Sequence, residues 1–210
     1  VDRRVAGLAN YVYNTLPLRA VVEGRFRLPI GLGRVPKLID SVDFVGVNYY
    51  TRYCFGYDRC DRASILTPKL MPDTELSDLR YGEIYPAGMR EVVQRAQVYG
   101  KPIYVTENGV PDDDDDVRPR FILAHLAQLW RAIQEGAQVR GYYHWSLVDN
   151  FEWAEGYQMR FGLIEVDFAT QARRLRDSAR LYSEICRGNA ITEDLVRRYA
   201  PGHEQAILGV

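Results

Sequence analysis

The sequence predicts an α/β fold in which parallel strands alternate with helices. Three short runs rich in β-branched and aromatic residues, 41–50, 102–109 and 140–146, carry that prediction. Helical segments accompany them in the order strand then helix, and no hairpin signal joins any pair, so right-handed crossovers are expected. All three runs end in polar or aromatic residues, at Asn48 and Tyr50, at Glu107 and at Trp145. In parallel sheets with crossover helices, functional groups gather at these carboxyl ends.

Taken in chain order, Val5, Leu8, Val12, Leu16 and Val22 place apolar residues at helical spacing over 3–23. Pro29, Gly31, Gly33 and Pro36 then read as a loop. Ser41 to Tyr50 reads as a buried strand. Residues 51–80 have no period and read as a long irregular loop, a kind that often belongs to a site. Pro86 in a first turn and Gly100 past the end bracket a helix reaching about Tyr99. Pro102 to Gly109 is the second strand. The acidic run Asp112 to Asp116 reads as a solvated loop feeding a helix N-terminus, where negative charge is favoured. It shows neither the alternating ligands nor the glycine of a dedicated calcium loop, so no metal is expected. Ile122, Leu126, Leu129, Trp130 and Ile133 mark the buried stripe of a helix over 121–135, closed by Gly136. Arg140 to Ser146 is the third strand, and a rich loop over 147–161 leads into Gly162–Phe168. A last helix covers about 178–186, and the tail from Asn189 has no clear element. The expected organisation is one domain over 1–210. Within it, 1–40 is a helix-and-loop lead-in, 41–188 holds three βα units with the site, and 189–210 is the tail.

Composition narrows the class of function. Hydrophobic residues at 47% and charged residues at 26% describe an ordinary globular chain. With 27 basic and 28 acidic residues the net charge is −1, which gives no footprint for nucleic acid or an anionic membrane. No apolar run approaches the roughly 18 residues of a membrane span. Neither partner is expected. Fifteen Tyr, seven Phe and three Trp suit a packed core, and they also suit the apolar faces of pyranose rings. Cys54, Cys60 and Cys186 are odd in number and lack metal-ligand spacing, so free thiols and a cytoplasmic location are expected. The opening at Val1 rather than Met carries the expectation of a longer protein.

Two stretches carry chemistry. Glu107 ends a strand whose Ile103 and Val105 share its side of the pleat by period-two alternation, which sets the carboxylate at the mouth of a packed core. Asn48 and Tyr50 are placed to hold it by hydrogen bonds, and donors to the charged form keep a nucleophile ionised and oriented. Trp145 to Tyr157 packs two tryptophans, a phenylalanine and three acids into one loop. Carboxylates accept from vicinal hydroxyls, and an indole offers both a stacking face and an N–H donor. A sugar pocket needs that mixture.

Four blocks then resemble family 1 glycoside hydrolases, the β-glucosidase family, in order across 41–168. They are Asp43-Phe44-Val45-Gly46-Val47-Asn48-Tyr49-Tyr50-Thr51, Glu83-Ile84-Tyr85-Pro86, Tyr104-Val105-Thr106-Glu107-Asn108-Gly109, and Trp145 through Asp167. The resemblance implies a (β/α)8 TIM barrel of which this chain covers roughly strands six to eight with their helices. It implies that Glu107 is the catalytic nucleophile, that Tyr50 positions it with Asn48 beside it, and that Trp145, Glu152, Trp153 and Phe161 bind the glycone. It further implies a β-linked glycoside as substrate, no cofactor, and a free rather than phosphorylated sugar, because Glu152 would repel a phosphate.

The chain also departs from that pattern. Retention needs two carboxyls roughly 5–5.5 Å apart, a nucleophile and a general acid/base. The family carries the second in an Asn-Glu-Pro motif, which this sequence lacks. By position, Asp149, Glu152 and Glu155 all remain open as substitutes. Arg173-Arg174-Leu175-Arg176 stands where the family usually has a Thr-Pro-Lys-like turn. Two expectations follow: a retaining β-glycosidase whose acid/base lies outside this chain, or an impaired half-barrel that binds carbohydrate or a protein. In both, three parallel strands leave open edges, so a second chain is expected, either an amino-terminal half-barrel or a copy of this one.

Overall fold

The structure is a computed structural model and describes residues 2–55 and 69–209. Cys60 lies outside the described residues.

The lead-in is helical as the spacing predicts, with an irregular middle. Helix α1 (Asp2–Asn10) runs through a π turn at Tyr11–Thr15 into α2 (Leu16–Glu23). Pro17 has no N–H to give the preceding turn, and the Leu16 N–H reaches five residues back to the Tyr11 carbonyl. The glycine- and proline-marked loop contains a short antiparallel pair, β1 (Arg25–Phe26) with β2 (Gly33–Arg34). The connection between them spans 27–32, too long to show a two-residue turn signature.

The sheet that positions the site has three parallel strands, β3 (Val45–Asn48), β4 (Ile103–Asn108) and β5 (Val139–His144), with β4 central. Helices α3 (Ala87–Gln97) and α4 (Arg118–Gln134) cover one face. The β-branched strand residues Val45, Val47, Ile103 and Val105 bury there against Met89, Val93, Ala96, Leu129 and Ala132. The opposite face carries Phe44, Gly46, Asn48, Thr106 and Tyr143, all exposed. Among the described residues, nothing pairs with the outer edges of β3 and β5.

Helix α4 corrects the predicted stripe. Leu129 and Ala132 face the sheet, while Leu123 and Ala127 face a second cluster. Trp130 and Ile133 are left exposed on the rim of a groove of about 700 Å³ beside β5. The second cluster also corrects the tail. After β6 (Ile164–Val166) and β7 (Arg173–Leu175), an antiparallel hairpin, come α5 (Asp177–Gly188), α6 (Glu193–Tyr199) and α7 (Glu204–Leu208). Leu181, Leu195, Val196 and Ile207 from these three helices pack on α4. The Thr192 side chain caps α6 by accepting from the Leu195 N–H, and Glu193 and Asp194 follow in its first turn.

The acidic run is not uniformly solvated. Asp112 is buried and its Oδ2 accepts the Val117 and Arg118 N–H groups at the start of α4, at 3.0 and 2.7 Å. Asp115 accepts the Ser178 N–H and hydroxyl at the start of α5, at 2.8 and 2.6 Å, and pairs with the fully buried Arg118. Two of the five acids therefore tie successive helices to one loop.

Two histidines, the buried His125 and the half-buried His144 with its ring nitrogens enclosed, give the fold a pH dependence. Burial holds His125 down to about 4, and burial together with Arg118 holds His144 down to about 3. Both are neutral in the folded chain at pH 5, whereas unfolded histidine takes up its proton near 6.5. The unfolded state then binds more protons, so stability present above pH 6.5 is lost as pH falls toward 4. Asp112, raised by burial to about 6, works the other way with one proton against two. Melting temperature should therefore fall between pH 7 and pH 5 when followed by calorimetry. A flat or rising profile would contradict the neutral-histidine assignment.

Candidate active site

A β-bulge aims the candidate nucleophile. Val47 pairs with Val105, but the next residue of β3, Asn48, pairs with Glu107. Thr106 is the extra residue, and a bulge of this kind re-aims the side chains beside it. The period-two expectation is corrected here. Ile103 and Val105 point into the helical core, while the shifted register frees Glu107 from their face. Asn108, one residue on, is fully buried and bonded to the Tyr49 carbonyl and the Tyr142 hydroxyl at 2.7 and 2.8 Å. Gly109 follows because a Cβ there would lie 1.8 Å from the Trp145 carbonyl oxygen.

Glu107 is half-buried and its Oε2 accepts the Tyr50 hydroxyl at 2.6 Å. Burial, then the hydrogen bond to Glu107, pushes the Tyr50 phenol far above its ordinary value. Tyr50 therefore remains a donor across the physiological range. Its ring is held edge-on by Tyr81 and Phe161 at 6.2 and 6.0 Å, and those two meet at 5.4 Å. Asn48 is placed differently from the expectation. Its Oδ1 accepts the Thr106 hydroxyl at 2.6 Å, so it braces the bulge beside Glu107.

The loop after β5 brings the remaining residues to the same end of the sheet. Trp145 joins the end of β4 through its N–H to the Asn108 carbonyl at 2.9 Å, and the Trp145–Ser146 peptide is cis. The Trp145 indole N–H and the Asn150 amide both donate to Oε1 of Glu152, at 3.0 and 2.8 Å. That leaves Oε2 of Glu152 free to accept. Trp153 is 86% exposed on a short turn, and Phe161 is 2% exposed, behind Tyr50. Trp153 is thus an open face, whereas Phe161 supports the tyrosine that supports Glu107.

Two of the three open substitutes for an acid are removed by their surroundings. Asp149 is fully committed. Arg176 and Arg160 lie at 3.0 and 3.5 Å from its oxygens, and the Gly162 and Val166 N–H groups donate to it at 2.8 and 3.3 Å. Glu152 already accepts two donors. Glu155 lies exposed on the turn that carries Trp153. Tyr81, Thr106 and the Asp149–Arg176 pair are site-supporting residues that pattern reading missed. The Arg-rich segment after β6 was the one available signal for the last of them.

Fold and site together define one portion of a (β/α)8 barrel, with a carboxylate at the mouth of the sheet and an aromatic wall beside it. The family model of glycosyl hydrolase family 1 matches residues 13–191. The chain is 43% identical over 171 residues to a β-galactosidase of Sulfolobus acidocaldarius, covering 75% of this chain and 34% of that protein. It superimposes on a β-glycosidase from Pyrococcus horikoshii with TM-score 0.82 and 38% identity, covering 94% of this chain and 46% of the other. A β-glucosidase from Thermotoga maritima in complex with glucoimidazole gives 0.78 and 32%, covering 90% and 47%. The chain belongs to glycosyl hydrolase family 1. It spans less than half the length of these relatives.

Proposed function

We propose that this chain supplies the nucleophile half of a retaining β-glycosidase site, acting on β-linked glucosides or galactosides. The observation that carries the reading is Glu107 re-aimed by a bulge and held by a tyrosine that stays protonated. Glu107 attacks the anomeric carbon and forms a glycosyl-enzyme ester as the aglycone leaves; water then cleaves the ester with net retention. Oε2 of Glu152 accepts hydroxyls of the glycone, while Trp145 and Trp153 provide its apolar walls. The relatives named above are β-galactosidases, β-glycosidases and β-glucosidases, which supports the substrate class.

The general acid/base comes from outside this sequence, on an amino-terminal half-barrel whose strands pair with the free edges of β3 and β5. Exposed Phe44 and Tyr143 on the bare sheet face support that arrangement, since apolar surface of this kind is normally covered. Mixed with a relative's amino-terminal half containing Asn-Glu-Pro, the chain should form a one-to-one complex by light scattering and cleave an aryl β-glucoside. A chain that stays monomeric and hydrolyses the glucoside alone would overturn the division of labour.

Tyr50→Phe tests the positioning role within that complex. A hydrogen bond to a charged group contributes about 1.5–3 kcal/mol. The turnover number should therefore fall about 10- to 100-fold with KM little changed. An equal rise in KM at constant turnover would instead assign Tyr50 to ground-state binding.

A further inference from the structure

The turn that follows β4 contains a second cluster which the glycosidase reading does not use. Asp112, Asp114 and Asp116 each offer a carboxylate oxygen, and the three lie within 4.8 Å of one another. A calcium ion takes oxygen ligands at about 2.4 Å, so oxygens that far apart can share one ion. The intervening residues are engaged elsewhere. Asp113 donates its N–H to Asp78, and Asp115 binds Arg118 and Ser178.

Asp112 supplies an independent observation. It is 1% exposed; Oδ2 accepts two backbone N–H groups, while Oδ1 has no partner. A buried carboxylate oxygen with no donor is uncommon and costly. Of the nearby guanidinium groups, Arg176 is taken up by Asp149 and Arg120 by Glu75, while Arg118 pairs with Asp115, donates to the Asp112 and Arg160 carbonyls, and keeps an Nε with no partner. Among the described residues, no cation pairs with Asp114 or Asp116.

We propose that Asp112, Asp114 and Asp116 form a divalent-cation site that prefers calcium. All three donors are hard oxygens, with no imidazole or thiolate to favour zinc. Two are exposed, so the site can adapt to the larger, less exacting coordination of calcium over the strict octahedron of magnesium. The ion would fix the turn between Glu107 and α4. Through the Asp112 N–H to the Arg160 carbonyl at 3.0 Å, it would also fix the loop carrying Phe161.

The test uses the 210-residue chain, stripped with chelator and titrated with calcium by calorimetry, with thermal melts in parallel. One saturable site is expected, with magnesium binding more weakly. The melting temperature should rise by about 5–10 °C at a hundredfold excess over Kd. Asp114→Asn with Asp116→Asn should abolish both effects while the metal-free chain still folds, since both side chains are exposed. Asp113→Asn should bind as the parent does. Absence of saturable binding at millimolar calcium would overturn the proposal and assign the unpaired Asp112 oxygen and Arg118 Nε to a bridging water. Unchanged binding by the double variant would overturn it as well.

Discussion

Glu107→Gln should lower turnover of an aryl β-glucoside by at least roughly 10⁴-fold in the complemented enzyme, the scale seen when a nucleophile is removed. The amide keeps the size of the carboxylate and can still accept from Tyr50, whose hydroxyl lies 2.6 Å from Oε2. Fold and substrate binding are therefore preserved while the covalent step is lost. Melting temperature should stay within a few degrees of the parent, which separates a chemical loss from unfolding. Glu107→Gly offers a second reading, because azide can enter the vacated space and attack the anomeric carbon itself. That displacement has a single inversion, so its product is the α-glycosyl azide. Turnover unaffected by Glu107→Gln would refute the nucleophile assignment.

Asp149→Ala should be the most damaging single change to stability. Its carboxylate is fully enclosed, and its loss strands the buried Arg176 guanidinium together with the Gly162 and Val166 N–H groups. Breaking one side of such a pair costs about 3–5 kcal/mol, whereas replacing both sides with apolar residues can be close to neutral. For a chain of this size the melting temperature should fall by about 10 °C or more. Adding Arg176→Met to Asp149→Leu should recover part of the loss seen for Asp149→Leu alone. If the double variant is no better than that single one, the pair does not couple as the geometry implies.

The strands and their order were legible because each is a short run of β-branched or aromatic residues closed by a polar or aromatic end. The two hairpins were not. Strands β1 and β2 have two residues each, and β6 and β7 are joined by 167–172, a turn held by Asp167 accepting the Ala169 and Thr170 N–H groups. Glu107, Tyr50, Trp145 and Glu152 were named from the sequence, and the structure places Tyr50 on Glu107 and Trp145 on Glu152. The face of Glu107 was misread, because alternation along one strand cannot reveal a bulge that depends on the register of its neighbour. The helix-capping roles of Asp112 and Asp115 were hidden in the same way, since five identical acids give no hint of which ones turn inward. Thr192 before two acids was a readable capping signal for α6.

The most direct test is to trap the covalent intermediate. The complemented enzyme is treated with a dinitrophenyl 2-deoxy-2-fluoro-β-glucoside, whose leaving group departs without protonation and whose fluorine slows hydrolysis of the ester. Peptide mass spectrometry should then find one fluoroglucosyl group, on Glu107. Labelling of any other carboxylate, or none in a complex that turns over the parent glucoside, would contradict the assignment of Glu107 as the nucleophile.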